Sequence, residues 1–234
     1  VTSVGLGVQK QSGTNTVEMA RQVFLALPDS YPKVLLTSRF RRQDRDAHER
    51  QLLEFEARRQ AEERKRDDES SAHERGKPIP GDPGLICVST QVVEAGVDVS
   101  AHFLWSELAP WPSVIQRLGR VNRDGRDQEA KAWFWEAPPE GGRRKETRTG
   151  PYDADDVARS KKLVDALAPL SGRKPFAHAI ADLAKLHKQD VEKALQPKPE
   201  PMPRALDVHG LFSTEHDVHG GFTDVSAFVR GADP

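Results

Sequence analysis

Residues Trp111 to Arg126 read WPSVIQRLGRVNRDGR, and the conformation assigned to them decides how the rest of the chain is arranged. At 100° per residue, a helix here puts Val114, Ile115, Leu118 and Val121 on one side. It also brings Gln116, Arg120 and Arg123 to within about 60° of one another on the opposite side. Pro112 falls in the first turn, where a missing N–H is tolerated. The apolar side is then core. The polar side is a glutamine and two guanidiniums on a rigid element, suited to gripping phosphate by bidentate charge-assisted hydrogen bonds. Arg117, about 60° or more away from that face, reads as an ion-pair partner. A solvated arginine face on an ordinary amphipathic helix has the same spacing, so the flanking sequence has to decide.

Working outward, His102 to Ser106 and Ala130 to Glu136 are short runs that read as strands. Leu85 to Thr90 (LICVST) and Lys33 to Ser38 (KVLLTS) read as buried strands. Gln91 to Ser100 is a turn or short helix. A helix from a Thr14 or Asn15 cap to about Leu27 carries the stripe Val17, Ala20, Val23, Phe24 and Leu27. Val1 to Gly13 has no steady period and reads as an irregular start. From Arg39 to about His73 there is no Pro or Gly, which predicts a long helix. Leu52, Leu53 and Phe55 dock its first half. Its second half is expected in solvent, supported by Glu54 with Arg58 and Glu62 with Arg66. Gly76 to Gly84, with three prolines, is a loop.

Strands alternating with helices predict an α/β fold with a parallel sheet flanked by helices, followed by a helical segment and an extended tail. The expected organisation is a lobe over 1–137, a loop over 138–152, a helical extension over 153–196, and a Pro-rich linker with a partly extended segment over 197–234. Within the extension, Asp153 to Leu170 and Pro175 to Leu195 read as two amphipathic helices. PKPEPMP, from Pro197 to Pro203, is a stiff extended linker.

Composition narrows the function. Charged residues make up 30 % of the chain and apolar ones 36 %, so part of it is surface or extended. A net charge of −1 provides no global basic field, and attraction to nucleic acid has to be local. The one cysteine, Cys87, excludes an internal disulfide framework and a cysteine zinc site. It reads as a small buried hydrophobe. No apolar run is long enough to span a bilayer and no leader opens the chain, so no membrane association and a cytoplasmic setting are expected.

Two strings in one order carry the chemistry: STQVVEAGVD from Ser89 to Asp98, then QRLGRVNR from Gln116 to Arg123. The pair resembles motifs V and VI of superfamily 2 helicases, and Thr37 to Phe40 resembles their motif IV. SRFRRQDR and LAPWPSVIQRLGRVNRDGR are most similar to the CRISPR-associated helicase of type I systems. The resemblance covers about Thr14 to Trp135, with a weaker echo over Leu206 to Arg230. It implies the second RecA-like lobe of an ATP-dependent motor that translocates on single-stranded DNA. ATP with Mg²⁺ would be held mainly by an N-terminal RecA-like lobe, and a CRISPR surveillance complex would be a partner.

Residue by residue, Arg120 and Arg123 match the motif VI arginines that touch the γ-phosphate and stabilise charge in phosphoryl transfer. Gln116 would position the γ-phosphate or the attacking water. Gly96 and Asp98 would face the nucleotide, although a turn or cap role accounts equally well for Asp98. Ser38, Arg39, Thr90 and Gln91 would meet the nucleic-acid backbone, giving nonspecific, salt-sensitive binding.

No phosphate-cradling G-x-x-x-x-G-K-[ST] loop and no acidic magnesium box occur in the sequence. The chain is therefore expected to be one half of a two-lobe motor, unable to hydrolyse ATP alone. His209, His216, Asp217 and His219 include a His-Asp doublet of the kind found in metal-dependent nucleases. All four fall within 11 residues of a Gly-rich segment, whereas such sites gather ligands from distant helices, so no metal site is expected. Another superfamily 2 helicase, or an inactive lobe that binds nucleic acid or a partner, are the competing readings.

Overall fold

A strand that the sequence pattern does not announce lies at the middle of the sheet. The computed structural model describes residues 10–13, 16–69, 82–94, 98–123, 125, 127, 129–136, 152–171 and 175–196. Among the described residues, β1 (Lys10–Gly13), β2 (Lys33–Leu36), β3 (Ile86–Ser89), β4 (Phe103–Glu107) and β5 (Lys131–Trp135) form one parallel sheet in the order β2-β3-β1-β4-β5. The helices are α1 (Val17–Ala26), α2 (Arg42–Glu69), α3 (Trp111–Leu118), α4 (Ala154–Ser171), α5 (Phe176–Leu186) and α6 (Lys188–Leu195), with a 3₁₀ turn at Gln91–Glu94. The parallel α/β architecture expected from the strand–helix alternation is the one observed.

The irregular start expected over Val1 to Gly13 is corrected at its end. KQSG forms β1, paired with β3 on one side and β4 on the other, and Gly13 lies level with both Ser89 and Ser106. Four residues without an apolar run give no local signal. Pairing on both edges satisfies the backbone groups that specify the strand. The cap of α1 is Thr16, not Thr14 or Asn15, which lie outside the described residues; Thr16 Oγ1 accepts from Met19 N at 3.2 Å. At the other end, Lys33 Nζ donates to the orphan carbonyl of Leu27 at 2.7 Å and so closes the helix onto β2.

Leu104, Cys87 and Val34 fall in one row of the sheet register, and so share a face. Over β2 and β3 this face carries Leu36, Leu52, Phe55, Leu85, Val93 and Val99. Burial pushes the Cys87 thiol up to about 12, which leaves it inert. Over β4 and β5 the same face is covered by Trp111, Val114, Leu118 and Val121, then by Leu163, Leu167, Ala179, Leu183 and Val191 of α4 to α6. Each fully buried large aliphatic side chain here contributes about 1.5–3 kcal/mol. Phe103, Trp105 and Trp133 alternate to the opposite face, where their rings stack at 5.7 and 5.3 Å between centroids. Trp105 and Trp133 stay open to solvent.

Three helical expectations change. Leu53 is exposed, so α2 docks through Leu52 and Phe55, three residues apart. The second half of α2 is not uniformly solvated. Glu56 and Arg59 are buried and hydrogen-bonded to each other at 2.7 Å, and Arg59 also pairs with Glu63. Arg58 lies 3.8 Å from Asp82 rather than pairing with Glu54, and Glu62 lies 2.8 Å from Lys65; the side chain of Arg66 lies outside the described residues. Finally, the span from Pro175 to Leu195 is two helices, broken at His187, where φ is −120° and ψ 42°. No helix among the described residues is long and apolar enough to cross a membrane. The chain divides into units at Leu195 and Gln196; the linker 197–203 and the His-containing tail lie outside the described residues.

Candidate functional site

The helix that opened the sequence reading stops early. α3 ends at Leu118, capped at Gly119, and Arg120 to Arg123 are a turn with Asn122 at φ 46°. The shared helical face expected for Gln116, Arg120 and Arg123 therefore does not exist. Long-range backbone pairing replaces it. Ala101 N donates to Arg120 O at 2.7 Å, and Asn122 N donates to Ala101 O at 2.9 Å, so Val121 forms a parallel bridge to Ala101 ahead of β4. Main-chain hydrogen bonds thus lay residues 120–122 against Ala101, just past the first string, and Arg123 reaches back to that string's Asp98 through its side chain.

Arg117 takes the structural place expected of it. It is 1 % exposed, and its Nε donates to Glu94 Oε1 at 2.8 Å. Its Nη1 donates to Ser106 Oγ at 2.8 Å and Glu107 O at 3.0 Å. A buried guanidinium needs such partners, because an unpaired charge away from water is costly. The carboxylate of Glu94 thus fixes Arg117, while its carbonyl accepts from Arg120 Nη2 at 3.2 Å. Within its string Glu94 carries no periodicity that marks it. Its role depends on a residue 23 positions away.

Arg120 is half-buried, and its Nε is a buried donor with no hydrogen-bond partner among the described residues. Arg123 is exposed and pairs with Asp98, itself largely in solvent. Exposed pairs are worth at most about 1 kcal/mol, so Arg123 is readily drawn to a more highly charged partner. The main chain of Arg123 is better fixed: its N–H donates to Ser100 Oγ at 3.0 Å. Gln116 is exposed on the last turn of α3 and forms no hydrogen bond to either arginine. Gly96 lies outside the described residues.

A second group gathers at the carboxyl ends of β2 and β3. Leu36 is level with Ser89, and Thr90 N donates to Leu36 O at 3.2 Å. Ser38 and Arg39 on one strand end are therefore beside Thr90 and Gln91 on the next. Ser38 and Arg39 are exposed, Gln91 is half-buried, and Thr90 is only 3 % exposed. Strand carboxyl ends are the usual ligand edge of parallel α/β sheets. The 91–94 turn leads from this edge toward the arginines through Glu94. Among the described residues no group of three or more His, Cys, Asp or Glu side chains is placed to hold a metal ion.

Five parallel strands flanked by helices, with these strings brought together beside the carboxyl ends of the strands, make a parallel α/β lobe. Residues 11–126 match the family described as Cas3-like, CRISPR-associated nuclease/helicase Cas3, C-terminal. The CRISPR-associated helicase Cas3 of Thermoproteus tenax is 32 % identical over 124 residues, which cover 53 % of this chain and 17 % of that protein. A Methanocaldococcus jannaschii relative is 33 % identical over 113 residues, 48 % of this chain and 13 % of its own length. The chain thus spans less than a fifth of either relative. The solved structure of T. fusca Cas3 shares the fold with a TM-score of 0.54 at 19 % identity, over 82 % of this chain and 24 % of that one. T. fusca Cas3 with ATP superposes with a TM-score of 0.52 at 21 % identity, over 81 % of this chain and 22 % of that one.

Proposed function

We propose that this chain is the second RecA-like lobe of an ATP-driven translocase acting on single-stranded DNA during CRISPR interference. Residues 1–137 would be the motor lobe and 153–196 a helical extension packed on it, with 138–152 and 197–234 as connecting and tail segments. The N-terminal lobe of the full-length protein would hold most of the ATP and its Mg²⁺, leaving this fragment inactive alone. The full protein would work in the cytoplasm with a CRISPR surveillance complex. The observation that carries the reading is the Ala101–Val121 bridge, which sets Arg120 and Arg123 beside Glu94 and Asp98.

In this reading a triphosphate draws Arg123 away from Asp98 and engages the guanidinium of Arg120. Both guanidiniums then lie where charge develops on the transferring phosphoryl group, a contribution of about 10³ to 10⁵ in rate for arginine fingers. Gln116, free on the neighbouring helix turn, orients the γ-phosphate or the attacking water. Asp98 and Gly96 line the nucleotide side. Ser38, Arg39, Thr90 and Gln91 grip the DNA backbone without regard to sequence. Burial of Thr90 limits it to its hydroxyl or main chain, so Ser38 and Arg39 supply the exposed part of that grip.

The test is single-stranded-DNA-stimulated ATP turnover by the full-length protein. Arg120→Ala and Arg123→Ala are each expected to lower it by about 10³-fold or more. Turnover near wild type in both variants, with DNA binding retained, would instead make the lobe a binding module.

A further inference from the structure

Arg123 does not sit on a helix, so something other than helical geometry has to aim it. The turn that carries it is closed on itself by one residue. Asp127 N donates to Asn122 Oδ1 at 2.9 Å, and Asn122 Nδ2 donates to Asp127 O at 2.6 Å. This reciprocal pair holds Asn122 at φ 46°, left-handed backbone that asparagine tolerates better than most residues. Asp127 Oδ1 also accepts from Glu129 N at 2.7 Å. The remaining oxygen, Asp127 Oδ2, lies 2.5 Å from His102 Nδ1. A carboxylate only accepts, so the imidazole donates. Both side chains are buried, at 8 % and 11 % exposure.

His102 immediately precedes β4, and its carbonyl accepts from Lys131 N of β5 at 3.1 Å. The closed turn is thereby tied to the start of β4 by a side-chain contact, which adds to the hydrogen bonds from Asn122 N to Ala101 O and from Arg123 N to Ser100 Oγ. On its other side, Gly125, at φ +67°, lies so close to Pro175 ahead of α5 that a Cβ would come 3.2 Å from the proline ring.

We propose that His102 and Asp127 are positioning residues for Arg123: their buried contact locks the 122–127 turn to the amino end of β4 and fixes where the guanidinium arrives. The proposal rests on the reading of Arg123 as a phosphate-contacting group. Neither residue touches Arg123 or Asp98. Both act through the main chain on either side of Arg123, whose N–H is held by Ser100. Misplacing a reacting group by about 1 Å costs on the order of 10²-fold in rate, and that sets the expected effect.

The experiment compares His102→Ala and His102→Asn in the full-length protein, because the asparagine amide nitrogen reaches the position of Nδ1 and restores a donor. His102→Ala is expected to lower kcat for DNA-stimulated ATP turnover by about 10²-fold, leaving KM for ATP and DNA affinity near wild type. His102→Asn should recover most of the loss. Amide hydrogen exchange supplies a second readout. In His102→Ala the amides of Asn122 and Asp127 should exchange faster while those of Phe103 to Glu107 stay protected. A wild-type kcat with unchanged turn protection overturns the proposal, as does joint loss of protection in turn and strand, which marks a general structural role. If Arg123→Ala itself leaves turnover intact, the phosphate reading has failed, and the exchange result alone decides whether the pair holds the turn.

Discussion

Between Trp111 and Leu118 the chain is a helix held by burial: Trp111, Val114 and Leu118 are at most 1 % exposed in a core shared with α4 to α6. Beyond Gly119, Arg123 and Asp127 are held by hydrogen bonds to residues 23 and 25 positions upstream. Each half carries arginine, with opposite fates. In the helix Arg117 is sealed and spends its donors on Glu94, Ser106 and Glu107. In the turn Arg120 keeps an unsatisfied donor and Arg123 faces solvent. Burial makes the helix a support, and incomplete burial makes the turn available to a ligand. The helix is therefore expected to govern stability and the turn to govern activity.

The sharpest way to break that division is Arg123→Ala, expected to cut ATP turnover of the full-length protein by about 10³-fold with no change in melting temperature. A fall in melting temperature that tracks the loss would show that the turn is structural as well. Arg117→Ala should do the reverse. It removes the partner of Glu94 within a buried network and is expected to cost about 3–5 kcal/mol, read by chemical denaturation. Leu118→Ala tests the apolar contribution without touching charge, and should cost about 2–5 kcal/mol in the same measurement. Asp98→Asn is the smallest effect. An exposed pair is worth at most about 1 kcal/mol, so the denaturation midpoint should hardly move, and a large shift would mean that Asp98 supports the turn.

Much of the architecture was legible. Apolar runs located β2 to β5, amphipathic spacing located α1 and α4, the absence of Pro and Gly located α2, and the strings at 89–98 and 116–123 pointed to a helicase family. The end of α3 was also written in the sequence: Gly119 and the Asp124-Gly125 dipeptide are stop signals, and the apolar stripe at Val121 outweighed them. Val121 is buried as a strand-like bridge to Ala101 rather than as a helical residue. Burial alone does not report the conformation that achieves it. β1 was not legible, because KQSG has no local pattern and its strand exists only through its two neighbours. Glu94, His102 and Asp127 were missed for a related reason. A lone glutamate, histidine or aspartate in a polar stretch has no periodicity to mark it.

The sequence by itself determined the parallel α/β class and the resemblance to a helicase family, because those depend on local pattern and on the spacing of short strings. Only the tertiary structure decided which partners seal Arg117, that the 116–123 string joins the segment just after Asp98 through the Ala101–Val121 bridge, and that a His102–Asp127 contact fastens the turn. Those outcomes depend on backbone pairing and desolvation between segments more than 20 positions apart. No local pattern encodes which of the available partners a buried polar group will find.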